Sequence, residues 1–140
     1  MSEGNDFSRS MGIATSGLRA QAGRMRVISE NIANADSTAK TAGGDPYRRK
    51  VPTFSSELDR TLDSRVVTLG KVKPDTSDFR IKHEPGNPVA DANGKVKYPN
   101  VNSLVEMTDM REAQRSYEAN LNVISATRRM IQRTLDILKA

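Results

Sequence analysis

Along the last third of the chain, apolar residues return at every seventh position: Met110, Tyr117, Ile124, Ile131 and Leu138. Met107, Leu121 and Leu135 lie beside that row, with Ala113 on its other flank. A repeat of seven draws a narrow apolar seam down one side of an α-helix that packs lengthwise against other helices. No glycine or proline interrupts residues 103–138. The pattern therefore predicts one helix of roughly 54 Å at about 1.5 Å per residue, longer than a compact domain needs. Ser103, three residues ahead of Glu106, predicts a capping box at its start. Pro99 stands just upstream, where a helix does not easily continue backward.

The same period appears from about Asp6 to Ala35. Met11, Leu18, Met25 and Ile32 are seven apart, and Ala14, Gln21, Ile28 and Ala35 fill the alternate seam positions. Gly12, Gly17 and Gly23 interrupt this helix, each costing about 0.5–1 kcal/mol relative to alanine. Such a helix is marginal alone in water, and its small residues permit close backbone approach. The expectation is that both end helices are loose in the free subunit and become ordered on assembly.

Between the helices the period changes. Residues 36–46 form a loop by composition. Tyr47 to Phe54 is extended, with Pro52 arguing against a central strand. Ser56 to Leu62 reads as a brief helical turn. Arg65–Val72 and Phe79–His83 read as strands, joined at Pro74-Asp75. Glu84–Pro88 is a turn, and Asn93-Gly94 reads as a two-residue hairpin turn between Val89 and Lys95–Tyr98. The expected fold is α+β. Long N- and C-terminal helices form an antiparallel coiled-coil-like layer, with a small β-rich module inserted between them. The segments are 1–36, 37–102 and 103–140. Two helices cannot bury both seams, so the remainder is expected to meet neighbouring subunits. The expected contact residues are Met11, Leu18, Met25, Ile28, Ile32, Met107, Met110, Tyr117, Asn120, Leu121, Ile124, Ile131, Leu135 and Leu138. Asn120, with Thr127 and Thr134 on its row, either sets register or faces solvent or a channel.

Composition agrees with shared burial. Aromatic residues make up 4% of the chain, hydrophobic residues 36%, and tryptophan is absent. The net charge of +5 is spread along the chain, unlike the concentrated basic face of a nucleic-acid binder. Only Tyr47-Arg48-Arg49-Lys50 is a local cluster. A solvated loop or a contact to a neighbouring subunit is a plainer reading of it than a nucleic-acid or lipid contact. No cysteine is present, which excludes disulfides and thiolate chemistry. No apolar run approaches the ~20 residues of a membrane-spanning helix. The N-terminus lacks a basic start followed by an apolar stretch, so no cleaved signal peptide is expected, and any export would take a route that needs none. No catalysis, cofactor or metal is expected. His83 is the single histidine, Gly43-Gly44 lacks the context of a phosphate loop, and Asp91–Gly94 opens like a calcium loop without its remaining ligands.

Against this background, Ser29-Glu-Asn-Ile-Ala-Asn-Ala-Asp-Ser37 resembles the N-terminal signature of the bacterial flagellar rod, hook and hook-associated proteins. Pro46–Pro52, Glu84–Pro88 followed by Ala90–Gly94, and Lys97–Asn102 are similar to a short proximal-rod member of that family. So are Glu106-Met107, Asp109-Met110 and Arg115–Asn120 in the last helix. The likeness covers nearly the whole chain in order and spacing. It is weakest over 55–74, and no glycine–aromatic pair follows Ala35-Asp-Ser-Thr38. The resemblance implies a subunit of a hollow, torque-transmitting rod, its helices in the inner layer and its β-rich middle outward. It implies export through the flagellar type III apparatus and assembly in the periplasm with copies of itself. FlgB, FlgF, FlgG and the junction protein FliE are the implied neighbours, with no nucleic acid and no membrane insertion. The rival reading is a soluble coiled-coil adaptor that closes into a discrete oligomer.

Overall fold

The computed structural model describes residues 2–140, and side chains from residue 4 onward. Met1, the first residue of the expected 1–36 segment, lies outside the described residues. The fold is α+β. Helix α1 (Ser2–Ala33) is followed by strands β1 (Lys50–Val51), β2 (Phe54–Asp59), β3 (Ser64–Leu69), β4 (Lys73–Pro74), β5 (Arg80–His83) and β6 (Lys95–Tyr98), then by helix α2 (Ser103–Lys139). The strands form three antiparallel pairs: β1 with β4, β2 with β3, and β5 with β6. Among the described residues, no helix is long and apolar enough to cross a membrane. The chain divides into two compact units, each drawing on both helices.

The first unit holds Met1–Met25, Thr53–Lys71 and Arg111–Ala140. Here α1 and α2 run antiparallel: Gly17 meets Asn120, and Arg24 meets Glu112 at 3.4 Å. Its buried apolar residues are alanines, Ala14, Ala20 and Ala113. A Cβ on Gly17 would stand 2.8 Å from Asn120 Nδ2, so the helices come close there and a side chain would have to displace the Asn120 amide. Leu69 similarly sits where a Cβ of Gly23 would point, at 2.6 Å. The glycines that weaken α1 by propensity are therefore where its neighbours come nearest. The segment expected as a helical turn, Ser56–Leu62, is instead strand β2 and the hairpin loop. Asp59 explains the difference: its Oδ1 accepts the main-chain N–H groups of Thr61 and Leu62 at 2.9 and 3.3 Å, closing a turn that returns the chain as β3. Asp63 takes φ 46°, and Arg9 of α1 clamps the tip through Leu62 O at 3.0 Å and Asp63 at 3.2 Å.

The second unit holds Arg26–Pro52 and Val72–Met110. Its core contains larger side chains: Val27, Ile28, Val96, Tyr98 and Val101. Hairpin β5–β6 pairs Arg80 with Tyr98 and His83 with Lys95. Lys95–Tyr98 therefore pairs with β5 rather than with a strand at Val89. The Asn93-Gly94 turn exists, but it closes on Asp91. Gly94, at φ 72°, donates to Asp91 O at 3.0 Å, and Asp91 Oδ1 accepts the N–H groups of Asn93 and Lys95, both at 2.8 Å. The capping box is also replaced. Asn102 is the N-cap: its Oδ1 accepts Leu104 N at 3.1 Å and its main-chain oxygen accepts Glu106 N at 3.0 Å. Glu106 does not reach back to Ser103, because its carboxylate is drawn inward.

Candidate subunit interface

In the second unit, Glu106 is held by Asn31 and Arg49. Both Asn31 and Glu106 are 1% exposed. Asn31 Nδ2 donates to Lys50 O at 2.8 Å and to Glu106 Oε2 at 3.1 Å. Its Oδ1 accepts Tyr47 Oη–H at 2.8 Å and Lys50 N–H at 2.9 Å. One helical amide thus satisfies both main-chain groups of the first residue of β1. Arg49 Nε donates to Glu106 Oε1, and its Nη1 donates to Asp75 at 3.2 Å. Ser77, through its main chain and then its hydroxyl, and after it Arg49, hold the Asp75 carboxyl below its ordinary range.

The basic cluster is therefore turned to internal contacts. Arg48 donates to the carbonyls of Asp75 and Ser77 at 2.8 and 2.9 Å and lies 4.2 Å above the Phe79 ring. Lys50 pairs with Glu30. Nothing in the charge run marked it as inward-facing. The signal was Asn31 inside the signature and Glu106 on the row of Ala113, beside the apolar seam. Burial, with the Glu30 and Glu106 carboxylates, pushes the Tyr47 phenol up to about 12 from 10.0. A raised phenol contributes stability that is complete below about 10 and is lost as pH rises through about 12. Absorbance titration of the wild type should show a phenolate component near pH 12 that Tyr47→Phe lacks. Removal instead of a component near 10 would contradict the packing of Tyr47 on Asn31.

On α2, the most deeply buried row is Glu106, Ala113, Asn120 and Thr127, again seven apart. Beside it, the row Met110, Tyr117, Ile124 and Ile131 is half-buried, and Leu138 is exposed. Close approach to Gly17 and the alanines of α1 selects small side chains, which displaces the large ones to the flank. Met11, Leu18, Met25 and Ile32 are likewise half-buried, as is Asn120, whose Nδ2 folds back onto Ser116 O at 2.9 Å. Ile28 is 2% exposed and belongs to the core of the second unit, so it has no surface to offer a neighbour. Met107, Leu121, Leu135 and Leu138 stand 52%, 41%, 46% and 77% exposed. A further exposed row, Val123, Met130 and Ile137, also repeats every seven residues and was missed. Counting heptads from Val123 would have found it. The carboxylate of Asp91 is committed to its turn, and among the described residues no group of histidines and carboxylates is arranged to hold a metal ion.

A helix that leaves this much apolar surface uncovered has the character of a protein–protein contact surface, and comparison with known proteins shows the family to which the chain belongs. A family model described as "Flagella basal body rod protein" matches residues 11–39, and one described as "Flagellar basal body rod FlgEFG protein C-terminal" matches residues 92–137. The flagellar basal-body rod protein FlgC of Agrobacterium fabrum is 57% identical over 91% of this chain and 92% of its own length. The chain belongs to the FlgC family. FlgC of Bacillus subtilis is 39% identical over 93% of this chain and 97% of its own, and FlgC of Salmonella typhimurium is 39% identical over 89% and 92%. As a FlgC-family member, the chain is a structural subunit of the flagellar basal-body rod and assembles with other basal-body proteins.

Proposed function

We propose that the chain builds the proximal part of the rod, a hollow shaft that transmits torque and leaves a passage for exported flagellar proteins. In this reading the helical segments 1–36 and 103–140 form the inner layer, and residues 37–102 lie outward. The observation that supports it is the division of α2 into rows: a small and polar row facing α1, and large apolar rows left open. Fully burying one such side chain contributes about 1.5–3 kcal/mol, and many contacts in parallel along a helix give axial stiffness. Head-to-tail contacts that do not close generate a helical shaft. The neighbours are copies of this chain and, by the resemblance, FlgB, FlgF, FlgG and FliE, reached through the flagellar type III export apparatus without a cleaved signal. The work is mechanical, with no catalytic step and no cofactor. A density map of intact basal bodies with this chain fitted should place α1 and α2 in the inner wall with Leu121, Leu135 and Ile137 against neighbouring subunits. Density showing those residues facing solvent, or a closed and discrete oligomer by light scattering with no rod incorporation, would overturn this reading.

A further inference from the structure

Hairpin β2–β3 has one edge against α1 and the other open. Gly70 N–H donates to Thr53 O at 2.7 Å. By alternation, Ser55–Thr68, Glu57–Val66 and Asp59–Ser64 are the pairs that exchange ladder bonds. Phe54, Ser56 and Leu58 therefore turn their main-chain N–H and C=O groups outward. The far edge has the same phase: Val67, the partner of Ser56, points its N–H at Ser16 Oγ of α1, 3.3 Å away. An open row of donors and acceptors is a template for another strand, and native edges are usually blunted by lysine, proline or a bulge. The strand Phe54-Ser-Ser-Glu-Leu-Asp59 contains no lysine or proline and pairs in unbroken register. Phe54 and Leu58 stand on one face of it, 45% and 62% exposed. A lone two-stranded hairpin is marginal in water.

We infer that β2 pairs antiparallel with β2 of a second copy, centred on Ser56. Outward-turned residues must meet outward-turned residues. Centring on Ser56 sets Ser56 opposite its counterpart, and Phe54 of each copy opposite Leu58 of the other. On the opposite face, Ser55 meets Glu57. Apolar groups face apolar groups, a hydroxyl faces a carboxylate, and no like charges are opposed. Moving the centre to Ser55 sets Phe54 against Ser56. Moving it to Glu57 opposes two glutamates. The strand is thus self-complementary in one register, and the product is a four-stranded sheet. The pairing is isologous and closes on itself. A shaft whose subunits all point one way has no such two-fold, so the dimer is a state of the unassembled chain that shields the edge and must open before incorporation.

The chain has no cysteine, so single cysteine variants report cleanly. Ser56→Cys places two thiols on directly opposed residues about 5.5 Å apart at Cα, within disulfide range. Mild oxidation of the full chain should give a covalent dimer as the main product. Thr61→Cys, roughly 30 Å from its counterpart at about 3.3 Å per residue, should give at least tenfold less. The oxidised Ser56→Cys dimer should fail to enter rods until it is reduced. By sedimentation, Phe54→Lys and Leu58→Glu should each weaken dimerisation at least tenfold, and the two combined should restore it, because each new lysine then faces a new glutamate. Equal cross-linking at 56 and 61 would overturn the inference. So would a wild-type chain that stays monomeric at every concentration, or a double variant no better than the singles.

Discussion

Arg49→Leu unfolds the second unit of the free chain at temperatures where the wild type is intact. The substitution leaves the Glu106 carboxylate, 1% exposed, with the Asn31 amide as its side-chain partner. Removing one member of a buried ion pair costs about 3–5 kcal/mol, against about 5–15 kcal/mol for a whole domain. For a unit this small, each kcal/mol moves the thermal midpoint by roughly 4–8 °C, so the loss should exceed about 12 °C. Tyr47 and Tyr98 both lie in this unit, and their near-ultraviolet dichroism follows it. The paired variant Arg49→Leu/Glu106→Leu should recover most of the loss, because replacing both partners with apolar groups is often neutral. If Arg49→Leu shifted the midpoint by only a few degrees, the network around Asn31 would not be what holds this unit together.

Ile124→Asp is expected to abolish motility while the free chain remains exportable. Ile124 lies in the half-buried apolar row of α2, between the row facing α1 and the exposed Leu121. A carboxylate desolvated there costs several kcal/mol at each contact, and every copy in the shaft carries it. The comparison is Asn122→Asp, which adds the same charge on the exposed polar side of the helix and should swim normally. Rods should be absent from Ile124→Asp cells, with the variant chain recovered outside the assembly. Normal swimming by Ile124→Asp, or equal defects in the two variants, would show that the apolar row is not an assembly surface.

Both long helices were legible from their heptad spacing because nothing but helix packing maintains a repeat of seven over five turns or more. β3 was legible as a strand over Arg65–Val72, and β5 from the alternation of apolar and basic residues over Phe79–His83. The row that α2 turns to α1 was not, because size was taken as the mark of burial. Gly17 and Ala14 reverse that rule: on α2 the small Ala113 and Thr127 are buried, while Ile124 is half-buried. β2 was lost because Ser55, Ser56 and Glu57 carry no strand preference of their own. Cross-strand partners, such as Thr68 with its hydroxyl 2.8 Å from that of Ser55, decide that segment. The basic run at 47–50 looked solvated because its acceptors, Glu30, Asp75 and Glu106, are 20 to 57 positions away in sequence. Long-range polar pairing leaves no local pattern.

The two units differ in what they bury: valines, an isoleucine and a tyrosine in one, alanines in the other. The chain should therefore be only partly self-sufficient, with the second unit folded before assembly and the first completed by neighbours. Amide exchange on the chain held monomeric by dilution tests this directly. Residues 27–31 and 96–98 should exchange at least about a hundredfold more slowly than residues 11–25 and 111–131, since local stability follows local burial. Equal and strong protection across both sets would mean that the helices are complete without the rod, and the account would fail.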